Sequence, residues 1–87
     1  MKPTTTQVKE GARRYLKIVE WSEQDGCYIG SAPPLIGASC HGGTEEKVLA
    51  QLQVIVEEWV RMLLSDGKPL PPQTAGRNLV SKLQRVA

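Results

Sequence analysis

The spacing of hydrophobic residues changes along the chain from a strand-like period to a helical one. Between residues 14 and 22, β-branched and aromatic side chains alternate, with Tyr15, Val19 and Trp21 on one face and further apolar residues on the other. Alternation of this kind is typical of a β-strand, and apolar residues on both faces favour a strand that is covered on both sides. We therefore predict a first strand over residues 14–22.

Two shorter strands follow the first one. Asp25-Gly26 is a strong signal for a hairpin turn, so residues 27–32 are predicted to return antiparallel to the first strand. Pro33-Pro34 ends this second strand, because proline has no N–H to donate to a ladder. Residues 38–41 are predicted to form a short third strand.

The helical period begins at Thr44 and continues to residue 65. The Thr44 hydroxyl is placed to cap the first turn, where Glu45 and Glu46 complement the helix dipole. Val54 departs from the apolar pattern, because it lies among the polar residues of the opposite side. Gly67 suits the left-handed position that ends a helix. One wide apolar stripe defines this helix: Val48, Leu49, Leu52, Ile55, Val56, Trp59, Val60 and Leu63.

These elements predict a two-layer α+β domain over residues 13–67, in which one long helix crosses a three-stranded antiparallel sheet. Residues 1–12 are polar and without a pattern, which predicts a flexible basic arm. Residues 68–87 are predicted to be a proline-rich exit followed by a basic tail. Within that tail, residues 78–86 fit either a short helix or a strand.

The charge is unevenly distributed, although its formal sum is only +2 in a chain of 87 residues. Residues 1–17 carry a net +4, residues 18–67 a net −6, and residues 68–87 another +4. An acidic body suits a basic protein partner, whereas basic ends suit nucleic acid. Both classes of partner stay open at this point, beside the simpler interpretation that the charge only keeps the protein in solution.

The sequence favours a protein that is not an enzyme. Cys27, Cys40 and His41 supply too few ligands, at unsuitable spacings, for a structural metal site. No phosphate-binding glycine loop is present, and the acids are too dispersed for two-metal phosphoryl chemistry. We therefore expect no catalytic residue, no cofactor and no metal. Without an apolar run of about 18 residues or a secretory signal, a cytoplasmic location is expected.

Four short motifs in order resemble the N-terminal domain of the HicB antitoxin family. They cover roughly residues 15–72, two-thirds of the chain. Each motif also has a plain structural role, as a turn, a strand end, a corner or a helix cap. The matching segments are Asp-Gly-Cys-Tyr-Ile-Gly at 25–30, Pro-Leu-Ile-Gly at 34–37, Gly-Gly-Thr-Glu-Glu at 42–46 and Asp-Gly-Lys-Pro-Leu-Pro at 66–71.

The resemblance implies a partial RNase H-like fold that blocks a small, basic, mRNA-cleaving HicA-type toxin, as in bacterial toxin–antitoxin systems. Members commonly add a DNA-binding domain, for which the residues after Pro72 are too few, so DNA binding is doubtful. A stand-alone member of the family without a toxin is a further alternative.

Candidate residues follow from charge and exposure. For the toxin we expect the acids Glu20, Glu23, Asp25, Glu57 and Glu58. For nucleic acid, the alternative partner, we expect Arg77, Lys82 and Arg85. A chain of 9.6 kDa leaves apolar surface uncovered, so we expect a homodimer or a higher homo-oligomer with Tyr15 and Trp21 in the interface.

Overall fold

A computed structural model describes residues 2–72 of the chain, in which one helix packs on a three-stranded antiparallel sheet and a second helix packs on the first. The predicted α+β class is therefore confirmed, with one helix more than expected. The elements in chain order are α1 (Thr5–Ala12), β1 (Ile18–Ser22), β2 (Cys27–Ala32), β3 (Ile36–Gly42) and α2 (Glu45–Ser65).

The sheet is a simple meander in which β2 lies between β1 and β3. The β1–β2 turn closes at Gly26, whose φ of 65° lies in the left-handed region that glycine adopts without strain. The prediction for β2 is confirmed residue for residue. β3 is longer than the predicted 38–41. It pairs with β2 through an irregularity between Gly30 and Ala32 that shifts the register.

α2 buries Val48, Leu52, Val56 and Val60 completely; Val48 and Leu52 lie beside Gly30 of β2, and Val60 lies beside Gly11 of α1. Its start is fixed by Thr44, whose hydroxyl accepts the N–H of Lys47 at 3.2 Å. The helix approaches β2 closely. A Cβ added to Gly30 would lie 2.6 Å from the Cys40 sulfur and 2.8 Å from a Val48 methyl. The predicted helix over 44–65 is confirmed, as is its end at Gly67, whose φ is 69°.

The predicted flexible arm over residues 1–12 is wrong, because most of it is helix α1. Thr4 and Gln7 form a reciprocal capping box: each side chain accepts the backbone N–H of the other residue. Val8 and Ala12 are buried against α2. This Thr-x-x-Gln pattern was present in the sequence and was the signal that would have revealed the helix.

The first strand begins four residues later than predicted, because Tyr15 belongs to the connection after α1 rather than to the sheet. Its side chain is only 2% exposed, and its hydroxyl donates to the Pro71 carbonyl at 2.6 Å. Burial raises the pKa of this phenol. The bond ties the start of the domain to its exit. The predictions for residues 73–87, including the choice between helix and strand at 78–86, lie outside the described residues.

Candidate protein-binding surface

Three of the five predicted partner-binding acids lie on or beside the β1–β2 hairpin. Glu20 is exposed on the sheet face that α2 does not cover, and Glu23 and Asp25 occupy the turn. The Ser22 hydroxyl donates to the Asp25 carboxylate at 2.8 Å, and the backbone N–H of Asp25 donates to the Ser22 hydroxyl oxygen at 3.2 Å. Asp25 thus shapes the turn while keeping its charge exposed.

Two further acids join the hairpin acids through the tertiary structure. Tyr28, the second residue of β2, pairs with Gly42, and α2 starts only three residues after Gly42. The first turn of α2, with exposed Glu45 and Glu46, therefore lies at the hairpin end of the sheet. The sequence by itself relates these two acids only to the helix dipole. We call the four residues Glu23, Asp25, Glu45 and Glu46 the acidic end.

Glu57 and Glu58 do not belong to the acidic end. They lie about 18 Å further along α2, twelve residues from its first turn, given a rise of about 1.5 Å per residue. Glu57 is half-buried beside α1, where its carboxylate lies 3.5 Å from the Lys9 ammonium. Glu58 is exposed and lines a shallow depression with Trp59 and Met62. The five predicted acids are therefore divided among separate surfaces.

Lys17 is a second cation near Glu57, in addition to Lys9. Its ammonium donates to the carbonyls of Ala12 at 3.1 Å and Tyr15 at 3.4 Å. These contacts cap the end of α1 and hold the connection that follows it. Burial lowers the pKa of this amine, and the nearby Glu57 carboxylate partly opposes that change. Lys17 is thus a structural cation.

The acidic end is bordered by exposed apolar side chains. Trp21 is 49% exposed and packs edge-to-face on Tyr28, with ring centroids 5.2 Å apart. Leu49, on the side of α2 that faces β1, is 40% exposed and lies with Lys17, Val19, Glu45 and Glu46 around a shallow depression. Carboxylates around exposed apolar groups are a suitable surface for a basic protein.

The predicted pairing of Tyr15 and Trp21 in one open aromatic surface is wrong. Tyr15 is buried, as described above. Trp21 lies opposite Tyr28, and Val19 lies opposite Gly30, the residue that faces the helix. Because side chains alternate along a strand, Trp21 shares the helix-facing side of the sheet. Its exposure comes from its position at the end of the strand.

The uncovered sheet face carries Glu20, Ile29 and His41 in one row across the three strands. His41 is opposite Ile29 rather than Cys27, so the register does not pair the histidine with that thiol. Cys40 is buried on the other face, and its thiol donates to the Val48 carbonyl at 3.7 Å. Within residues 2–72, no three side chains that bind metals converge.

The end of the molecule opposite the hairpin is basic. Arg13 and Arg14 are exposed after α1, and Lys68 is exposed after α2. The Tyr15–Pro71 hydrogen bond places the exit of the domain at this same end. The predicted nucleic-acid residues Arg77, Lys82 and Arg85 lie outside the described residues. Within residues 2–72, exposed basic residues thus lie at one end of the molecule and the acidic end lies at the other.

Comparison of the chain with family models, with curated proteins and with solved structures gives no match in any of the three. None of the helices within residues 2–72 combines the length and the apolar character that crossing a membrane requires.

Proposed function

We propose that this protein is a HicB-like antitoxin with a partial RNase H-like fold, which acts without catalysis by covering the active surface of a small, basic, RNA-cleaving HicA-type toxin. Its class rests on the ordered motifs of the sequence. Its mode of action rests on the acidic end, where the hairpin turn and the start of α2, each with two exposed acids, lie at the same end of the sheet. That shared placement is the observation that carries the proposal.

The acidic end has the properties that such a task requires. An RNA-cleaving toxin presents Lys and Arg to phosphates, and a rigid acidic surface competes for the same groups while it accelerates association. Among the described residues, no ion pair involves Glu23, Glu45 or Glu46. Lys17 lines the same depression as Glu45 and Glu46 and offsets part of their charge, so Glu23 and Asp25 carry the less opposed charge. Trp21 and Leu49 add apolar contact area beside them.

Binding to a purified HicA-type toxin from the source genome tests the proposal. We expect the chain to form a complex and to inhibit RNA cleavage, with weaker binding at high salt because exposed charges are screened. Glu23→Lys should weaken binding by about tenfold or more at low salt, which corresponds to about 1.4 kcal/mol.

Glu10→Lys is the matched control, because it reverses an exposed charge on α1, at the basic end. It should leave binding within about twofold, since surface charges away from an interface contribute little to affinity. Absence of a complex even at low salt would contradict the antitoxin function. Equal weakening by the two variants would contradict the acidic end as its binding surface.

Nucleic-acid binding is the alternative, and the basic end is the observation that favours it. There Arg13, Arg14 and Lys68 lie near the exit of the chain. In that case Arg13→Glu would reduce affinity for a duplex DNA or a single-stranded RNA and lower its salt dependence, whereas Glu23→Lys would not weaken it. A stand-alone, oligomeric member of the family would bind neither the toxin nor the nucleic acid.

A further inference from the structure

The side of α2 that packs on α1 borders a groove with more cations than acids. The groove has a volume of about 380 Å³, which lies within the range of small-ligand sites. It is formed by α1, by the connection to β1 and by the middle of α2. We call it the cationic groove, and its lining residues are Lys9, Ala12, Arg13, Lys17, Gln53 and Glu57.

Both helices present residues at helical spacing to the cationic groove. Arg13 caps the end of α1 with helical backbone angles, so it lies on the same side of that helix as Lys9, four residues earlier. On α2, Gln53 and Glu57 are also four residues apart. Lys17, held by its two carbonyl contacts, completes the lining from the connection. Three cationic side chains from two segments therefore face one space.

The charge of these cations is only partly compensated. Glu57 is the one acid of the lining, and its carboxylate lies 3.5 Å from the Lys9 ammonium, so three cations and one carboxylate leave a net charge of +2. Among residues 2–72, no ion pair involves Arg13. Lys17 donates two of its three N–H groups to carbonyls, which leaves one for a ligand. Burial lowers the pKa of Lys17 although Glu57 opposes this change.

We propose that the cationic groove binds a phosphate group, with Lys9, Arg13 and Lys17 as its donors. A phosphate monoester carries a charge of about −1.5 to −2 at pH 7 and three acceptor oxygens, so it matches the groove in both charge and number of donors. The planar guanidinium of Arg13 suits two parallel bonds to such a group. Glu57 is then an internal anion that the phosphate displaces from Lys9. This binding does not depend on the antitoxin function.

The negative end of the α1 dipole opposes an anion only weakly here, because its terminal carbonyls are already bonded. Three of the last four accept hydrogen bonds, namely those of Lys9, Gly11 and Ala12. The next acids on α2 toward its start, Glu45 and Glu46, share a different depression with Lys17. Seven residues, or about 10 Å along the helix, separate Glu46 from Gln53.

An NMR titration of the full chain with inorganic phosphate, at constant ionic strength, tests the proposal. We expect saturable shifts of the amide signals of residues 9–17 and of Gln53, with a dissociation constant in the millimolar range or below. Lys9→Gln and Arg13→Gln should each raise that constant about threefold, as is usual for exposed charge pairs, and the double variant should raise it about tenfold.

The matched control is the double variant Lys2→Gln with Arg14→Gln. It removes the same amount of charge from two exposed cations that line a separate depression. Charges outside the groove are screened by salt, so this variant should leave the phosphate dissociation constant within about 1.5-fold. Equal weakening by the two double variants would overturn the proposal, as would the absence of saturable shifts. Circular dichroism of each variant separates loss of binding from loss of the fold.

Glu57→Gln distinguishes a binding site from a structural cluster of charges. It removes the competing carboxylate, so phosphate should bind about threefold more tightly even though the contact with Lys9 is lost. Unchanged or weaker binding would overturn the proposal. Titrations with glycerol phosphate and with a single-stranded RNA then identify the source of the phosphate. Tighter binding of the first assigns a phosphorylated small molecule, and tighter binding of the second assigns a nucleic-acid backbone.

Discussion

The basic end and the acidic end of this molecule use their charged residues differently. At the basic end, Lys9 pairs with Glu57, and Lys17 caps α1 through two backbone carbonyls. At the acidic end, Asp25 shapes the turn and Glu45 and Glu46 lie in the first turn of α2, and all four carboxylates are on exposed residues. Lys9 and Lys17 thus hold elements together, whereas the acids of the acidic end are exposed. A count along the sequence cannot separate the two kinds.

The largest difference between the ends should appear in apolar truncations. Val8 of α1 is fully buried, whereas Leu49 beside the acidic end is 40% exposed. Val8→Ala should lower the free energy of unfolding by about 2 kcal/mol, from lost burial and the cavity that remains. Leu49→Ala removes more carbon atoms and should still cost less than about 1 kcal/mol. Denaturant unfolding measures both, and equal losses would mean that α1 contributes no more stability than an exposed site.

Tyr15 extends the comparison to the pH dependence of the free energy of unfolding. Tyr15→Phe removes the hydrogen bond to Pro71, which should cost about 1 kcal/mol at neutral pH. Burial raises the pKa of Tyr15 above its ordinary value of 10.0, so the stability linked to the neutral phenol is complete below pH 10 and decreases as the pH rises further. The difference between wild type and variant should therefore shrink above pH 10. Lys17 titrates in both proteins and cancels. A difference that grows above pH 10 would contradict the burial of this phenol.

The smallest expected effect on the free energy of unfolding comes from neutralising one of two glutamates, Glu57 or Glu23. Glu57→Gln breaks the contact with Lys9 and removes the charge beside Lys17, and the exposure of the Lys9 side chain limits the loss to about 0.5 kcal/mol. Glu23→Gln at the acidic end should not change stability measurably. Both free energies of unfolding should be measured at low salt and at high salt, because salt should reduce only the Glu57 effect. A larger loss for Glu23→Gln would show that the acidic end is structural.

Local signals were sufficient where a single segment contained its own evidence. Asp25-Gly26 marked the hairpin, and Thr44 and Gly67 marked the ends of α2. Such turns and caps depend on a few neighbouring residues, so the sequence predicts them directly. The capping box at Thr4 and Gln7 belongs to the same category, but α1 has only two buried residues, so no apolar stripe accompanies the cap.

The candidate site was predicted less well, because it depends on residues that are distant in sequence. The hairpin acids were identified, but Glu45 and Glu46 joined them only through the pairing of Tyr28 with Gly42. Glu57 is among the predicted partner-binding acids, but its carboxylate lies 3.5 Å from the Lys9 ammonium of α1. Tyr15 was expected on an exposed strand face, and a residue 56 positions away holds its hydroxyl.

By itself, the sequence determined the long helix, the hairpin and the antiparallel order of the strands, because backbone conformation follows from local sterics, caps and turn residues. The tertiary structure alone decided which residues of one type are buried. Val48 is fully buried on α2 and Val54 is 55% exposed on the same helix, because only one of them faces the sheet. The desolvation and the charge pairing of a side chain depend on the residues packed against it, and only the tertiary structure determines which residues those are.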